Sequence, residues 1–106
     1  MNPSTSDFTE RWRLAAKEWL DLQDAADFLD GSKNDTLAEI VSRSPGNSHA
    51  EKERNARISD EWKEHRRKII EANAAARRAK LRVQFAKMQR EDHLNGEANR
   101  RAEMKL

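Results

Sequence analysis

Histidine is the residue type in this sequence whose side chain could most readily perform acid–base or metal chemistry. The chain has three, His49, His65 and His93, and no two of them have the i, i+4 spacing of a helical zinc site. Glu61 and His65 would share a helix face, but two ligands do not make a metal site. We expect His65 to be a partly buried, hydrogen-bonded residue on a helix seam.

Nucleophiles and cofactor motifs are equally scarce. The chain has no cysteine, and its three glycines stand singly, so the sequence has no phosphate-binding loop. It has 19 Asp and Glu, so some will lie near each other by chance, and a thin helical protein has no deep cleft to shift their pKa values. We therefore expect a protein that is not an enzyme, with no cofactor, no metal and no small-molecule substrate.

Basic residues are concentrated in one stretch, where positions 63–90 hold ten Lys/Arg and two Glu. Residues eleven apart are three helical turns apart and share a face, so this stretch forms a stripe that could follow phosphates. The alternative, which we favour, is a solvated face or a counterpart to the four aspartates at positions 21–30. The residues of this predicted basic stripe are Arg66, Arg67, Arg77, Arg78, Lys80, Arg82 and Lys87.

Three tryptophans, Trp12, Trp19 and Trp62, could stack on the bases of single-stranded nucleic acid. All three fall on apolar seams of the predicted helices. We therefore interpret them as core residues.

The elements that position these residues are predicted to be helices, because 38% of the chain is charged and it contains only three Gly and two Pro. Asp7 as N-cap with Glu10 predicts a helix start, and Gly31 predicts a left-handed stop, which gives a first helix at about 8–30. Its seam recurs in alternating steps of four and three, a heptad pattern: Phe8, Trp12, Ala15, Trp19, Leu22, Ala26 and Leu29.

Two further capping boxes, Thr36–Glu39 and Ser48–Glu51, predict a short helix at about 36–43 and a long helix at about 49–94. The tail at 95–106 could continue as helix or fray after Gly96. The long helix has its own seam: Ile58, Trp62, His65, Ile69, Ala72, Ala76, Ala79, Val83 and Ala86. We therefore predict a single all-α domain over 1–106, a helical hairpin with one very long C-terminal helix and coiled-coil-like packing.

The predicted long helix is longer than the first helix, so the first helix cannot cover all of its apolar surface. The remainder must be buried by another molecule. Large exposed apolar patches are rare on monomers, and symmetric dimers are the commonest oligomers. We expect a homodimer with an interface at Leu81, Val83, Phe85 and Met88.

Charge and hydropathy indicate a cytoplasmic protein. No apolar run approaches the ~20 residues that span a bilayer, and the polar residues 1–7 do not resemble a signal peptide.

Residues 1–46 carry a net charge of −4 and residues 47–106 a net charge of +6. Each half should attract the other half or a partner of opposite charge.

Two segments carry a resemblance to a known family. The first is WLDLQDAADFL at 19–29, and the second is NAAARRAKL at 73–81, which runs on to NRRAEM at 99–104. Together they resemble small coiled-coil accessory proteins of tailed phages and prophages, often encoded near single-strand annealing and recombination genes. The resemblance covers most of the chain beyond Trp12. It implies a phage setting in a bacterial host cell, and it transfers no functional residues.

The expected function is that of a non-enzymatic phage accessory protein that binds protein or nucleic acid, in phage DNA recombination or replication. One alternative is a phage-encoded inhibitor that blocks a protein surface of a host defence system. A DNA-mimicking inhibitor would be strongly acidic, and this chain has a net charge of +2. A further alternative is a purely structural coiled coil.

Overall fold

The structure is a computed structural model that describes residues 2–105. Within that range the chain forms four helices and no strand, which confirms the all-α prediction. The helices are α1 (Thr5–Gly31), α2 (Lys33–Arg43), α3 (His49–Arg57) and α4 (Asp60–Met104). The very long C-terminal helix is confirmed as well, since α4 has 45 residues and passes through Gly96 without interruption.

Contacts within the chain group its residues into two compact units. The terminal unit is Met1–Leu22 together with Ala76–Leu106, and the inner unit is Gln23–Ala75. Helices α1 and α4 each contribute residues to both units. Each unit therefore needs its own packing contacts.

The terminal unit is an antiparallel pair of helical segments. The rings of Phe8 and His93 lie 4.8 Å apart between centroids, and the ammonium of Lys80 lies 5.7 Å from the centre of the Trp19 ring. An early residue of α1 thus meets a late residue of α4, and a later residue of α1 meets an earlier one of α4, so the two segments are antiparallel. These contacts confirm the two arms of the predicted hairpin.

The seam of the terminal unit pairs large side chains with small ones. On α4, Ala76, Ala79 and Ala86 are buried and Val83 is half-buried, at steps of three and four. Apart from the half-buried Ala15, the α1 seam residues of this unit are larger and half-buried: Phe8, Trp12, Trp19 and Leu22. Alternating steps of three and four with interdigitating side chains are the packing of a coiled coil.

Helix α1 begins three residues earlier than predicted, because the capping residue is Ser4 and not Asp7. The N–H of Asp7 donates to Oγ of Ser4 at 3.2 Å, and the N–H of Ser4 donates to Oδ2 of Asp7 at 2.9 Å. Asp7 is therefore the third helical residue of a reciprocal capping box. The hydrogen bond from the N–H of Ser4, and after it the one that the Ser4 hydroxyl donates to the same Oδ2 at 3.1 Å, hold the pKa of Asp7 below its ordinary value.

Helix α1 ends at Gly31, within one residue of the prediction, but the predicted left-handed geometry of this stop is wrong. In the described residues only Gly46 has a positive φ, and Gly31 is the last residue of α1 in ordinary helical geometry. Ser32 alone separates α1 from α2, and the N–H of Thr36 donates to its carbonyl. Thr36 is thus inside α2 rather than at its cap, and α2 begins at Lys33 rather than at residue 36.

The loop before α3 is close to its prediction. The hydroxyl of Ser48 accepts a hydrogen bond from the N–H of Glu51 at 3.2 Å, which confirms Ser48 as an N-cap. The carboxylate of Glu51 accepts from the N–H of Asn47 instead of the N–H of Ser48. Gly46 has φ +153, and a Cβ there would stand 2.9 Å from the backbone N of Lys52. The turn therefore requires glycine at this position.

The predicted helix over 49–94 is broken at Ile58 and Ser59. The N–H of Ile58 donates to the carbonyl of Arg54 and ends α3, and the hydroxyl of Ser59 accepts from the N–H of Trp62 at 3.2 Å and caps α4. Ile58 consequently falls out of the predicted seam and is 63% exposed.

The break allows the inner unit to form a core. Its buried cluster consists of Ile40 and Val41 of α2, Ala56 of α3 and Trp62 of α4, with the partly buried Leu37 packed against it. A continuous helix through positions 58 and 59 would carry Ala56 and Trp62 on one straight rod. The separate α3 lets both side chains pack against α2.

Candidate binding surfaces

The three histidines lie in three different environments. His49 is exposed, with Nε2 3.9 Å from a carboxylate oxygen of Glu53. His65 is half-buried and stacks on Trp62, with 5.7 Å between ring centroids. Its Nε2 is buried and has no hydrogen-bond partner among the described residues, so the predicted hydrogen bond at this atom is not found. Across residues 2–105 no group of three or more His, Cys, Asp or Glu could hold a metal ion.

His93 contacts a carboxylate but does not form an aligned hydrogen bond with it. Its Nε2 lies 3.1 Å from Oε1 of Glu97, a distance typical of an ion pair, yet the same atom is buried without a hydrogen-bond partner of acceptable angle. A hydrogen bond weakens steeply when it is misaligned, so this contact contributes little as a hydrogen bond. His93 therefore serves mainly as a packing partner of Phe8.

Two tryptophans of the terminal unit are covered by cations of α4. The guanidinium of Arg90 lies 5.6 Å from the centre of the Trp12 ring, and the ammonium of Lys80 lies 5.7 Å from that of Trp19. Trp62 of the inner unit is only 7% exposed. Rings in these positions favour core packing over a base-stacking platform, because stacking requires an open ring face.

The predicted basic stripe is not a uniform face in the terminal unit. Arg82 donates to a carboxylate oxygen of Glu18 at 2.9 Å, and Lys80 lies over Trp19. Lys87 stands 4.0 Å from Glu91 one turn along α4. The predicted counterpart role therefore applies to Arg82, although its acidic partner is a glutamate rather than one of the aspartates at 21–30.

Arg77 and Arg78 differ from those residues. Both are exposed, and no ion pair of the described residues includes either of them. Their charges are therefore available to a partner.

In the inner unit, two adjacent arginines of the stripe also differ. Arg67 hydrogen-bonds to Glu64 at 2.9 Å and also contacts Glu71, and these carboxylates, Glu64 first, raise the pKa of Arg67. The hydrogen bonds that Arg67 donates to Glu64 lower the pKa of Glu64. Arg66 is exposed and takes part in no ion pair within residues 2–105. Arg66 is thus the available cation of the pair.

Arg66 borders a groove in the inner unit. The groove has a volume of about 310 Å³, and its apolar lining residues include the buried Trp62, the half-buried Ile69 and the 62% exposed Ile70. Its complete lining is Asp30, Lys33, Asn34, Leu37, Arg57, Trp62, Arg66, Ile69 and Ile70. A second, shallower depression adjoins it, lined by Lys63, Arg66, Arg67, Ile70 and Glu71. Cations outnumber carboxylates in both linings.

Sequence analysis missed this groove. Its members come from α1, α2, α3 and α4, so no single helical period contains them. The one available signal was Ile70, an apolar residue beside the seam position Ile69 and one turn beyond Arg66. Ile70 and the unpaired Arg66 both line the groove, which places an exposed apolar side chain beside an available positive charge.

An ion pair between helices supports the inner unit near this groove. Arg43 of α2 donates to both carboxylate oxygens of Glu61 of α4, at 2.8 and 3.2 Å. These hydrogen bonds hold the pKa of Glu61 below its ordinary value. A bidentate pair fixes the direction of both side chains.

The predicted dimer interface separates into two faces of α4. Leu81, Phe85 and Met88 are 64%, 56% and 51% exposed, and we name these three residues the outer stripe. Val83 is half-buried between the buried Ala79 and Ala86, so it belongs to the seam of the terminal unit, which packs against α1. Val83 is therefore not part of the exposed surface predicted for the interface.

Comparison with known proteins adds no relative. The chain matches no family model, no curated protein and no solved structure. Among the helices of the described residues, none has the length and apolar character needed to cross a membrane.

Proposed function

We propose that this chain is a non-enzymatic accessory protein of a phage or prophage that binds another protein, in the cytoplasm of the bacterial host and in the service of phage DNA recombination or replication. The resemblance of residues 19–29 and 73–104 supports the phage setting. The observation that carries the binding role is the groove of the inner unit, where exposed Ile70 adjoins the unpaired Arg66.

The chemistry of the groove favours an acidic amphipathic helix as the bound segment. Its apolar lining, above all the exposed Ile70 and the half-buried Ile69, offers contacts to apolar side chains of a partner. The cations at its rim, above all Arg66, offer ion pairs to carboxylates beside those apolar residues. Helices that bind in grooves are recognised through apolar anchors at steps of three and four, with charges setting orientation.

Nucleic acid is the second candidate, and Arg77 and Arg78 favour it because both are exposed without an ion partner. Affinity for DNA grows with the number of phosphates that are neutralised. Four of the seven basic-stripe residues already contact groups of this chain: Arg67, Lys80, Arg82 and Lys87. The few remaining cations favour a protein partner over a nucleic-acid backbone.

The test uses affinity capture from phage-carrying cells with matched variants. Ile70→Asp and Arg66→Glu should each reduce recovery of the specific partner at least about tenfold, since an apolar anchor or a paired charge typically contributes more than 1 kcal/mol at an interface. Ile58→Asp and Arg54→Glu are the controls, because both residues are exposed and lie outside the groove. They should leave recovery unchanged.

Circular dichroism must show equal helicity for all four variants. Equal recovery with groove and control variants would refute the role of the groove. Salt-sensitive binding of purified chain to DNA that Arg77→Glu abolishes and Ile70→Asp leaves intact would favour the second candidate instead.

A further inference from the structure

The outer stripe of α4 has no cover within the terminal unit. At 100° per residue, Leu81, Phe85 and Met88 lie within about 60° of one another and roughly opposite the seam that α1 covers. All three are more than half exposed. Because α1 packs on the other side of α4, only another molecule can bury this stripe.

Charges of opposite sign stand at the two ends of the outer stripe. Arg77 and Arg78 precede it, and Glu91 and Asp92 follow it. Arg77, Arg78 and Asp92 are exposed and take part in no ion pair of the described residues. Glu91 has a long ion-pair contact with Lys87, at 4.0 Å. The surface is therefore apolar at its centre, positive at one end and negative at the other.

We propose that the outer stripe binds a second copy of this chain, with the two α4 helices antiparallel about a two-fold axis at Phe85. A residue that precedes Phe85 in one copy then faces a residue of the other copy that follows Phe85 by about the same number of positions. Leu81 faces Met88 of the other copy, and Phe85 faces its own equivalent. A two-fold contact of this kind is self-complementary and closes at two chains.

The end charges select this arrangement. Arg78 stands seven residues before Phe85 and Asp92 seven residues after it, so the antiparallel pairing brings these two together twice in each dimer. Arg77 and Glu91 meet in the same way on the opposite flank. A parallel pairing would place arginine against arginine and carboxylate against carboxylate, which is repulsive.

The size of the stripe sets the strength of the contact. Positions 77–92 extend about 24 Å along α4 at 1.5 Å per residue, and one helix face of that length covers less than the roughly 800 Å² per partner of a standard stable interface. The dimer should therefore dissociate on dilution. This contact involves no residue of the groove, so it goes beyond the proposed function and stands or falls separately from it.

Sedimentation equilibrium of the full chain from about 5 to about 500 µM tests the proposal. The average mass should rise with concentration from 12.3 kDa toward twice that value. Phe85→Asp should remain a monomer throughout with unchanged helicity, because Phe85 is exposed and faces away from α1. Leu14→Asp, at an exposed apolar residue of α1, should associate like the parent chain.

Charge reversal then tests the direction of pairing. One variant carries Arg77→Glu with Arg78→Glu, and the other carries Glu91→Lys with Asp92→Lys. Each alone should self-associate at least about tenfold more weakly, because four ion pairs become like-charge contacts. An equimolar mixture should form a heterodimer, since every contact is again between opposite charges.

The two altered pairs are about 21 Å apart within one chain, so rescue in the mixture can arise only between copies. A parent chain that remains at 12.3 kDa up to the highest concentration would overturn the proposal. Unchanged association of either charge variant, or a mixture that does not associate, would overturn the antiparallel arrangement. Should Phe85→Asp lose helicity, the charge variants alone decide.

Discussion

Replacement of Trp62 by alanine should remove a large part of the free energy that holds the inner unit folded. Trp62 is 7% exposed and packs in the cluster with Ile40, Val41 and Ala56. A buried tryptophan removes about 200 Å² from water, which at about 25 cal/mol per Å² contributes about 5 kcal/mol. Alanine recovers roughly 1 kcal/mol of this, so we expect a loss of about 4 kcal/mol, within the range for large aromatic truncations.

Urea unfolding followed by circular dichroism measures this loss, and amide hydrogen exchange locates it. Amides of α2 and α3 should lose protection first, because the cluster joins these two helices to α4. Phe28→Ala is the matched control, since Phe28 is 75% exposed and its truncation should change stability by less than about 0.5 kcal/mol. Equal unfolding midpoints for the two variants would refute the assignment of Trp62 to the core.

Four further changes test individual features of the fold. Ser59→Ala should cost about 1 kcal/mol in urea unfolding, because the hydroxyl that caps α4 is lost, and no loss would mean that the cap is unimportant. Gly46→Ala should destabilise by at least about 1 kcal/mol because of its positive φ and close backbone contact, whereas Gly96→Ala, with open space around it inside α4, should stabilise by up to about 1 kcal/mol. The folded pKa of Glu61 is lowered by Arg43, so its stabilisation is complete above the ordinary pKa of 4.5 and is lost as pH falls through the lower folded value. Melting temperatures from about pH 6 to about pH 3 should fall less steeply in Glu61→Gln than in the parent, and identical slopes would contradict this linkage.

Hydrophobic spacing predicted the seams well, because a heptad pattern records which side of a helix is buried. Every α1 seam residue from Phe8 to Leu29 is buried or half-buried, and Trp62 to Ala86 follow the same pattern on α4. The Ser48 cap was predictable for a similar reason, since a capping box is a local interaction. Both signals need only residues that are close in sequence.

The wrong predictions of helix ends had two causes. Some residues accept more than one backbone conformation, and some interactions join residues that are distant in sequence. Gly31 accepts helical geometry as readily as left-handed geometry, so its presence alone did not decide the backbone conformation at the end of α1. Ser59 interrupts a stretch of good helix formers, and the gain that offsets this interruption is the packing of Ala56 and Trp62 against α2. That gain is visible only after the chain has folded.

The surfaces were the least predictable part of the molecule. Whether a basic residue is available depends on the register of the hairpin, and Arg82 meets Glu18 across 64 positions of sequence. The groove next to Arg66 draws on four helices and leaves no periodic pattern. Composition could indicate a basic helix, but only tertiary structure separates Arg66, Arg77 and Arg78 from their partnered neighbours.

A photo-crosslinking amino acid at position 70, incorporated in phage-carrying cells, tests the binding role of the groove most directly. The account predicts a covalent adduct with a second protein, attached within a segment that is acidic and amphipathic. The same amino acid at position 58, equally exposed but outside the groove, should give no such adduct. Equal adducts at the two positions, or none at position 70, would contradict the central claim that this chain acts by binding a protein through the groove of its inner unit.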